Sequence, residues 1–310
     1  MKNSILTTAM VALASVSTVA AQSQRTAASA GREEFIEVEK NVRLHVTDLG
    51  NGRPIVLIHG WPLSDAMYEY QYQYLVEKGF RVIGITLRGF GKSDKPFGTY
   101  NYDVYADDIY TVLLKLEIQD AVLGGFSMGG GVVIRYITRH NSAHVSKLAL
   151  FGAAAPVWTK QPDFPIGLTD DQADGLIAQS RSNRAQMVDD FGSGLGVNEN
   201  SISPALVNWL AAINMEASPY ATTQSLLAIR ATDLRPELSK IHIPVAIFHG
   251  VYDKNCDFGL AIELNKRISD SYIVRFENSG HALFIEEQDK FNAELEKIRA
   301  KVRCCGSGKI

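Results

Sequence analysis

The chain has 310 residues, of which 46% are hydrophobic and 21% charged, a globular composition that excludes a disordered or fibrous protein. Lys and Arg number 31 against 34 Asp and Glu, a net charge of −3. With no basic stripe or aromatic-interleaved Lys/Arg cluster, nucleic acid is not an expected partner.

Residues 1–21 open on Met1-Lys2-Asn3, run through an apolar stretch softened by Ser and Thr, and close on Val19-Ala20-Ala21. This pattern reads as a secretory signal peptide, so a secreted or periplasmic protein is expected. Losing Lys2 with it would take the net charge to −4. Residues 22–33 are small and polar and read as a flexible linker. A hairpin at residues 35–38 and 42–46 is expected to open the domain, which extends over residues 34–303. An apolar strand at residues 54–58 runs into the turn His59-Gly60-Trp61-Pro62. A helix at residues 66–78 precedes a strand at 81–86. A further helix at 104–116, with Ile109, Val112, Leu113 and Leu116 at helical spacing, leads to the short strand Ala121-Val122-Leu123.

The glycine-rich stretch Gly124 to Gly131 follows, then the helical run from Val132 to Ile137 and a strand at residues 147–151. Strands alternating with helices of this length imply an α/β protein with a mostly parallel sheet covered on both faces. Residues 155–230 break the alternation: they are helix-rich, punctuated by Pro156, Pro162 and Pro165, and carry Trp158 and Trp209. Strands resume at residues 244–248 and 272–276. No uncharged stretch after the signal is long enough to span a bilayer. Of the three cysteines, Cys256 stands alone and Cys304 and Cys305 fall in a tail at residues 304–310. Their spacing fits no metal site, no metal or other cofactor is expected, and no catalytic role is assigned to them.

Gly125-Phe126-Ser127-Met128-Gly129 places a serine in G-x-S-x-G between a strand and a helix. A sharp turn there projects the hydroxyl above the sheet edge and tolerates only tiny neighbours. Hydrolases with this elbow follow the chain order Ser, then Asp or Glu, then His. Of the seven histidines, only His281, in the loop Asn278-Ser279-Gly280-His281-Ala282, follows a suitable acid at a distance. Asp253, in the turn that ends the 244–248 strand, is the preferred acid, with Asp257 and Asp233 as rivals. Acyl transfer also needs backbone N–H donors for its oxyanion. Met128, after the nucleophile, and Trp61, after the early strand, are the expected pair, and His59 reads as a brace for the Trp61 loop.

These stretches, with Arg88 to Asp94 (R-G-F-G-K-S-D), Tyr102 to Asp108, Thr232 to Pro236 and His249-Gly250, give the chain a close resemblance to a known family. It resembles the α/β-hydrolase superfamily, and within it the bacterial aryl esterases and cofactor-free (non-haem) haloperoxidases and perhydrolases. The resemblance implies the α/β-hydrolase fold, a Ser127–His281–Asp253 triad, oxyanion donors at Trp61 and Met128, and a helical cap at about residues 155–230. Pro62, Phe126, Trp158, Phe164 and Phe191 are the candidate pocket residues.

Two departures stand out. Thr86-Leu87 precedes Arg88 where the family usually has an aspartate, and the polar Lys254-Asn255-Cys256-Asp257 follows Asp253 where relatives carry an apolar stretch with proline. The expected activity is an exported serine carboxylesterase acting on small aryl or short-acyl esters. A perhydrolase or haloperoxidase making peracids, a lactone or carbon–carbon hydrolase and a non-catalytic binding protein are the alternatives. The expected partner is a small ester or carboxylic acid, and a homo-oligomer is left open.

Overall fold

The computed structural model describes residues 31–298. The expected signal peptide, residues 22–30 of the linker and the residue 304–310 tail lie outside them. Eight strands form one sheet: β1 (Arg32–Glu39), β2 (Val42–Leu49), β3 (Arg53–Ile58), β4 (Phe80–Ile85), β5 (Ala121–Phe126), β6 (Val145–Phe151), β7 (Val245–Gly250) and β8 (Ser271–Phe276). Their spatial order is β1-β2-β4-β3-β5-β6-β7-β8. Strand β2 runs antiparallel to β1 and β4, and every other neighbouring pair is parallel.

The strands read as nearly continuous apolar runs because both faces are covered. Successive side chains alternate between faces, so Ile55 and Leu57 join one buried cluster and Val56 and Ile58 the other. Fully burying one such side chain stabilises the fold by about 1.5–3 kcal/mol. Helices α1 (Glu69–Glu77), α2 (Tyr102–Lys115) and α3 (Met128–Arg139) link the first strands of the parallel part. A short 3-10 turn, Asp65–Tyr68, forms the start of the helix expected at 66–78. Arg88 reaches from the loop after β4 to both carboxylate oxygens of Asp108 on α2, each at 2.7 Å.

Strand β1 begins at Arg32, not Phe35, and so takes in the last two residues of the expected linker. Charge accounts for the difference: Arg32 donates to Asp48 at 2.9 Å, and Lys92 donates to Glu33 at 2.7 Å. A polar stretch gives no apolar alternation to read, so cross-strand ion pairing was invisible in the pattern.

The segment between β6 and β7 carries helices α4 (Asp170–Ser182), α5 (Arg184–Ser193), α6 (Pro204–Met215) and α7 (Pro219–Ala231). Their starts follow local chemistry. Thr169 and Gln172 form a capping box on α4, Asn183 caps α5, and Ser203-Pro204 and Ser218-Pro219 open the other two. Helix α8 (Phe258–Arg267) precedes β8, and α9 (Leu283–Glu286) and α10 (Gln288–Lys297) follow it. No helix among the described residues is long and apolar enough to cross a membrane.

Sheet order places the chemistry. Strand β3 lies between β4 and β5, so successive connections leave it in opposite directions, and Ile58 pairs with Gly125 at the carboxyl ends. Ligands in open α/β sheets bind at such a switch point.

Candidate active site

Ser127 sits between β5 and α3 with φ 51° and ψ −116°, a left-handed region that costs a residue with a side chain about 1–3 kcal/mol. Three backbone hydrogen bonds hold it there. Ser127 N donates to Phe151 O at 2.9 Å, while Ser127 O accepts from Gly130 N at 2.9 Å and Ala154 N at 3.0 Å. The glycines answer a steric demand: a Cβ on Gly125 would strike the carbonyl of Gly129, and one on Gly129 would stand 2.5 Å from His59 O.

Asp253 follows β7, and its side chain is fully buried. Its Oδ1 accepts the backbone N–H groups of Asn255 and Cys256 at 2.9 and 2.8 Å, and its Oδ2 accepts from His281 Nδ1 at 2.7 Å. With its proton on Nδ1, His281 presents a bare Nε2, which is buried and has no protein partner. Ser127 and His281 line the same cavity, of about 230 Å³. Cys256 lines the same cavity, and the hydrogen bond from Ser127 to His281 is not formed. Burial first, and the Asp253 charge second, push the Cys256 thiol well up, so it stays protonated. The two rival acids are committed elsewhere. Asp257 caps α8 through Gly259 N at 2.7 Å, and Asp233 pairs with Arg235.

The loop after β3 closes on the serine. A Cβ on Gly60 would be 3.1 Å from Ser127 Cβ. Among the described residues, no protein acceptor takes the N–H of Trp61 or of Met128, the first residue of α3. Both are therefore open to an oxyanion. His59 fixes the loop: its Nδ1 donates to Gly60 O at 2.8 Å, and its Nε2 accepts from Leu87 N at 3.0 Å. That pairing requires the neutral ring, and burial lowers its pKa to about 4.

This shift sets a pH dependence. Folded His59 stays neutral between about pH 4 and the unfolded value near 6.5, so the unfolded chain binds more protons there and stability falls as pH falls. The contribution lost at pH 5 is about 2 kcal/mol. His249, lowered by burial, acts in the same direction. His45 acts oppositely, because its contacts with Asp65 and Glu33 outweigh burial and raise it. Urea midpoints at pH 7.5 and pH 5 check this, and His59→Gln should drop less on acidification than wild type.

Of the expected pocket residues, Trp158 and Phe191 line the cavity, together with Leu176, Leu226 and Ile229. Phe126, Phe164 and Pro62 do not. The Phe126 ring packs against His281 (centroids 4.7 Å apart) and Phe284 (5.1 Å), so it buttresses the histidine from behind. Phe164 is buried in the cap under the Arg235 guanidinium, and Pro62 is buried in the turn closed by Leu63 N donating to Gly60 O.

Cys256, given no role above, is part of the cavity wall beside Ser127. Glu286 was also missed: it accepts from Gly280 N and Val197 N, each at 2.7 Å, tying the His281 loop to the cap. Nothing in a lone Glu marks such a strap in sequence. Asp65, buried and hydrogen-bonded to Thr86, brings a carboxylate to the stretch before Arg88 where the sequence carries Thr86-Leu87. Among the described residues, no cluster of three His, Cys, Asp or Glu side chains is placed to hold a metal ion.

The family model described as alpha/beta hydrolase fold matches residues 53–288. The chain belongs to the alpha/beta hydrolases. It is 44% identical to the AB hydrolase superfamily protein YisY of Bacillus subtilis over 85% of its own length and 98% of that protein. Among solved structures it resembles an esterase from Exiguobacterium antarcticum (39% identity, TM-score 0.84, covering 86% of this chain and 99% of that one). It equally resembles a bromoperoxidase from Bacillus anthracis (33% identity, TM-score 0.84, 87% and 100%). This alpha/beta hydrolase thus stands in the esterase and non-haem haloperoxidase branch that its motifs indicated.

Proposed function

We propose that the protein is a serine carboxylesterase of small aryl or short-acyl esters. The observation that carries this reading is the Asp253–His281 hydrogen bond at 2.7 Å, with His281 Nε2 left bare in the cavity that Ser127 lines. Ser127 Oγ attacks the ester carbonyl as His281 Nε2 takes its proton, and the tetrahedral oxyanion lies against the N–H groups of Trp61 and Met128. His281 passes the proton to the leaving alkoxide. Water, deprotonated by the same nitrogen, then cleaves the acyl-serine. The cavity's volume, about 230 Å³, is below the usual range of ligand pockets and favours small substrates. A chain-length series of p-nitrophenyl esters tests this: kcat/KM should peak at two to about four acyl carbons, and an optimum at long chains overturns it. The pattern of residues 1–21 supports export of the enzyme.

One observation favours a second activity. Pro62 fixes the turn behind Trp61, whose carbonyl accepts no hydrogen bond from the described protein groups. In this reading the carbonyl holds hydrogen peroxide in place of water. Peroxide attack on the acyl-serine then gives a peracid and regenerates the Ser127 hydroxyl. The likeness to a bromoperoxidase supports it. Pro62→Leu should lower the perhydrolysis-to-hydrolysis ratio severalfold, and an unchanged ratio with esterase activity retained removes the role.

A further inference from the structure

With Ser127 as nucleophile, the polar loop after Asp253 borders the reacting centre, since Asn255 and Cys256 line the same cavity. Asn255 is anchored by its backbone N–H, which donates to Asp253 Oδ1 at 2.9 Å, so its position is tied to the triad acid itself. Asn255 is one of the residues that line the cavity shared by Ser127 and His281. The amide Nδ2 is buried and has no hydrogen-bond partner in the protein. Native proteins satisfy nearly all buried donors, so an unmet one on a residue of the active-site wall points to an acceptor supplied by the ligand. The rest of the wall is mostly carbon, from Trp158, Leu176, Phe191, Leu226 and Ile229; beside Ser127 and His281 its other polar members are Gln172 and Cys256, and it carries no Lys, Arg, Asp or Glu. A charged acceptor would have no counter-ion there and would lose its hydration. The acceptor is therefore a neutral oxygen.

We propose that Asn255 Nδ2 is a specificity-determining donor, and that preferred substrates are esters with a second, uncharged oxygen acceptor outside the scissile ester group. Ether, ketone, hydroxyl and further ester oxygens meet the requirement. A purely alkyl ester of the same shape leaves the donor unmet, and a site built around a buried polar group discriminates strongly against such analogues.

The test uses esters that differ only by oxygen in place of one methylene. On the acyl side the pairs are p-nitrophenyl methoxyacetate with butanoate and p-nitrophenyl 3-methoxypropanoate with pentanoate. On the alcohol side the pair is 2-methoxyethyl acetate with butyl acetate. The oxygen-to-methylene ratio of kcat/KM is measured for wild type, Asn255→Leu and Asn255→Asp. Comparing enzymes cancels each ester's own reactivity.

In at least one pair the ratio should fall about tenfold in both variants, which is about 1.4 kcal/mol. Ratios within twofold of wild type in every pair overturn the proposal. Should neither variant fold, the wild-type ratio divided by the alkaline hydrolysis ratio decides: well above one supports the donor, one or below overturns it. Failure of the esterase reading looks different, because then no ester is turned over and Ser127 takes no fluorophosphonate label.

Discussion

Ser127→Ala should lower kcat by on the order of 10⁵- to 10⁶-fold while leaving the thermal midpoint close to that of wild type. The proposed chemistry depends on one oxygen atom. Removing Oγ leaves no group to form the acyl intermediate, and the residual rate comes from water acting with the Trp61 and Met128 N–H groups. The fold tolerates the change because the elbow is held by the backbone: the three hydrogen bonds at Ser127 N and O do not involve its side chain. Alanine also meets the same cost as serine at φ 51°. Steady-state kinetics with a short p-nitrophenyl ester, beside a melting curve, check both halves. Activity within tenfold of wild type would mean that another nucleophile does the work.

Asp253→Asn should cost about 10⁴-fold in kcat with KM little changed, because it alters a tautomer and not a shape. Oδ1 accepts two backbone N–H groups, from Asn255 and Cys256, so the asparagine oxygen must stay on that side. Its NH₂ then faces His281 Nδ1, where the carboxylate now accepts at 2.7 Å. A donor in that place drives the imidazole proton to Nε2, the nitrogen needed as a base. His249 lies 3.5 Å from the same carboxylate oxygen, but its Nε2 donates to Cys256 O at 2.7 Å and gives His281 no substitute acceptor. A loss smaller than tenfold would move the role of the acid elsewhere, to Asp257 first.

The parts of the molecule legible in its sequence are those where local chemistry dictates geometry. Glycines flanking Ser127 announced an elbow because a Cβ there meets backbone, and the apolar runs announced buried parallel strands. The order Ser, Asp, His singled out three residues that follow β5, β7 and β8, of which Asp253 is hydrogen-bonded to His281 and His281 shares a cavity with Ser127. What the sequence withheld depends on the direction in which a side chain leaves its element. Phe164 and Phe191 are equivalent in composition, yet one lies under Arg235 and the other faces the cavity. Phe126 neighbours the nucleophile but points into the core behind His281. The Lys254-Asn255-Cys256-Asp257 departure was visible as a polar loop, but not that Asn255 and Cys256 face the cavity while Asp257 caps a helix. The early start of β1 was hidden because ion pairs, and not an apolar pattern, hold Arg32 and Glu33.

In the proposed mechanism Ser127 forms the acyl bond. The most direct test is peptide mapping by mass spectrometry after reaction of the wild-type enzyme with a small fluorophosphonate. A single phosphonyl group is expected on Ser127, incorporated in step with the loss of esterase activity and prevented by a competing short-chain ester. Inactivation with the adduct on another residue, or continued ester turnover by fully labelled protein, would contradict this mechanism.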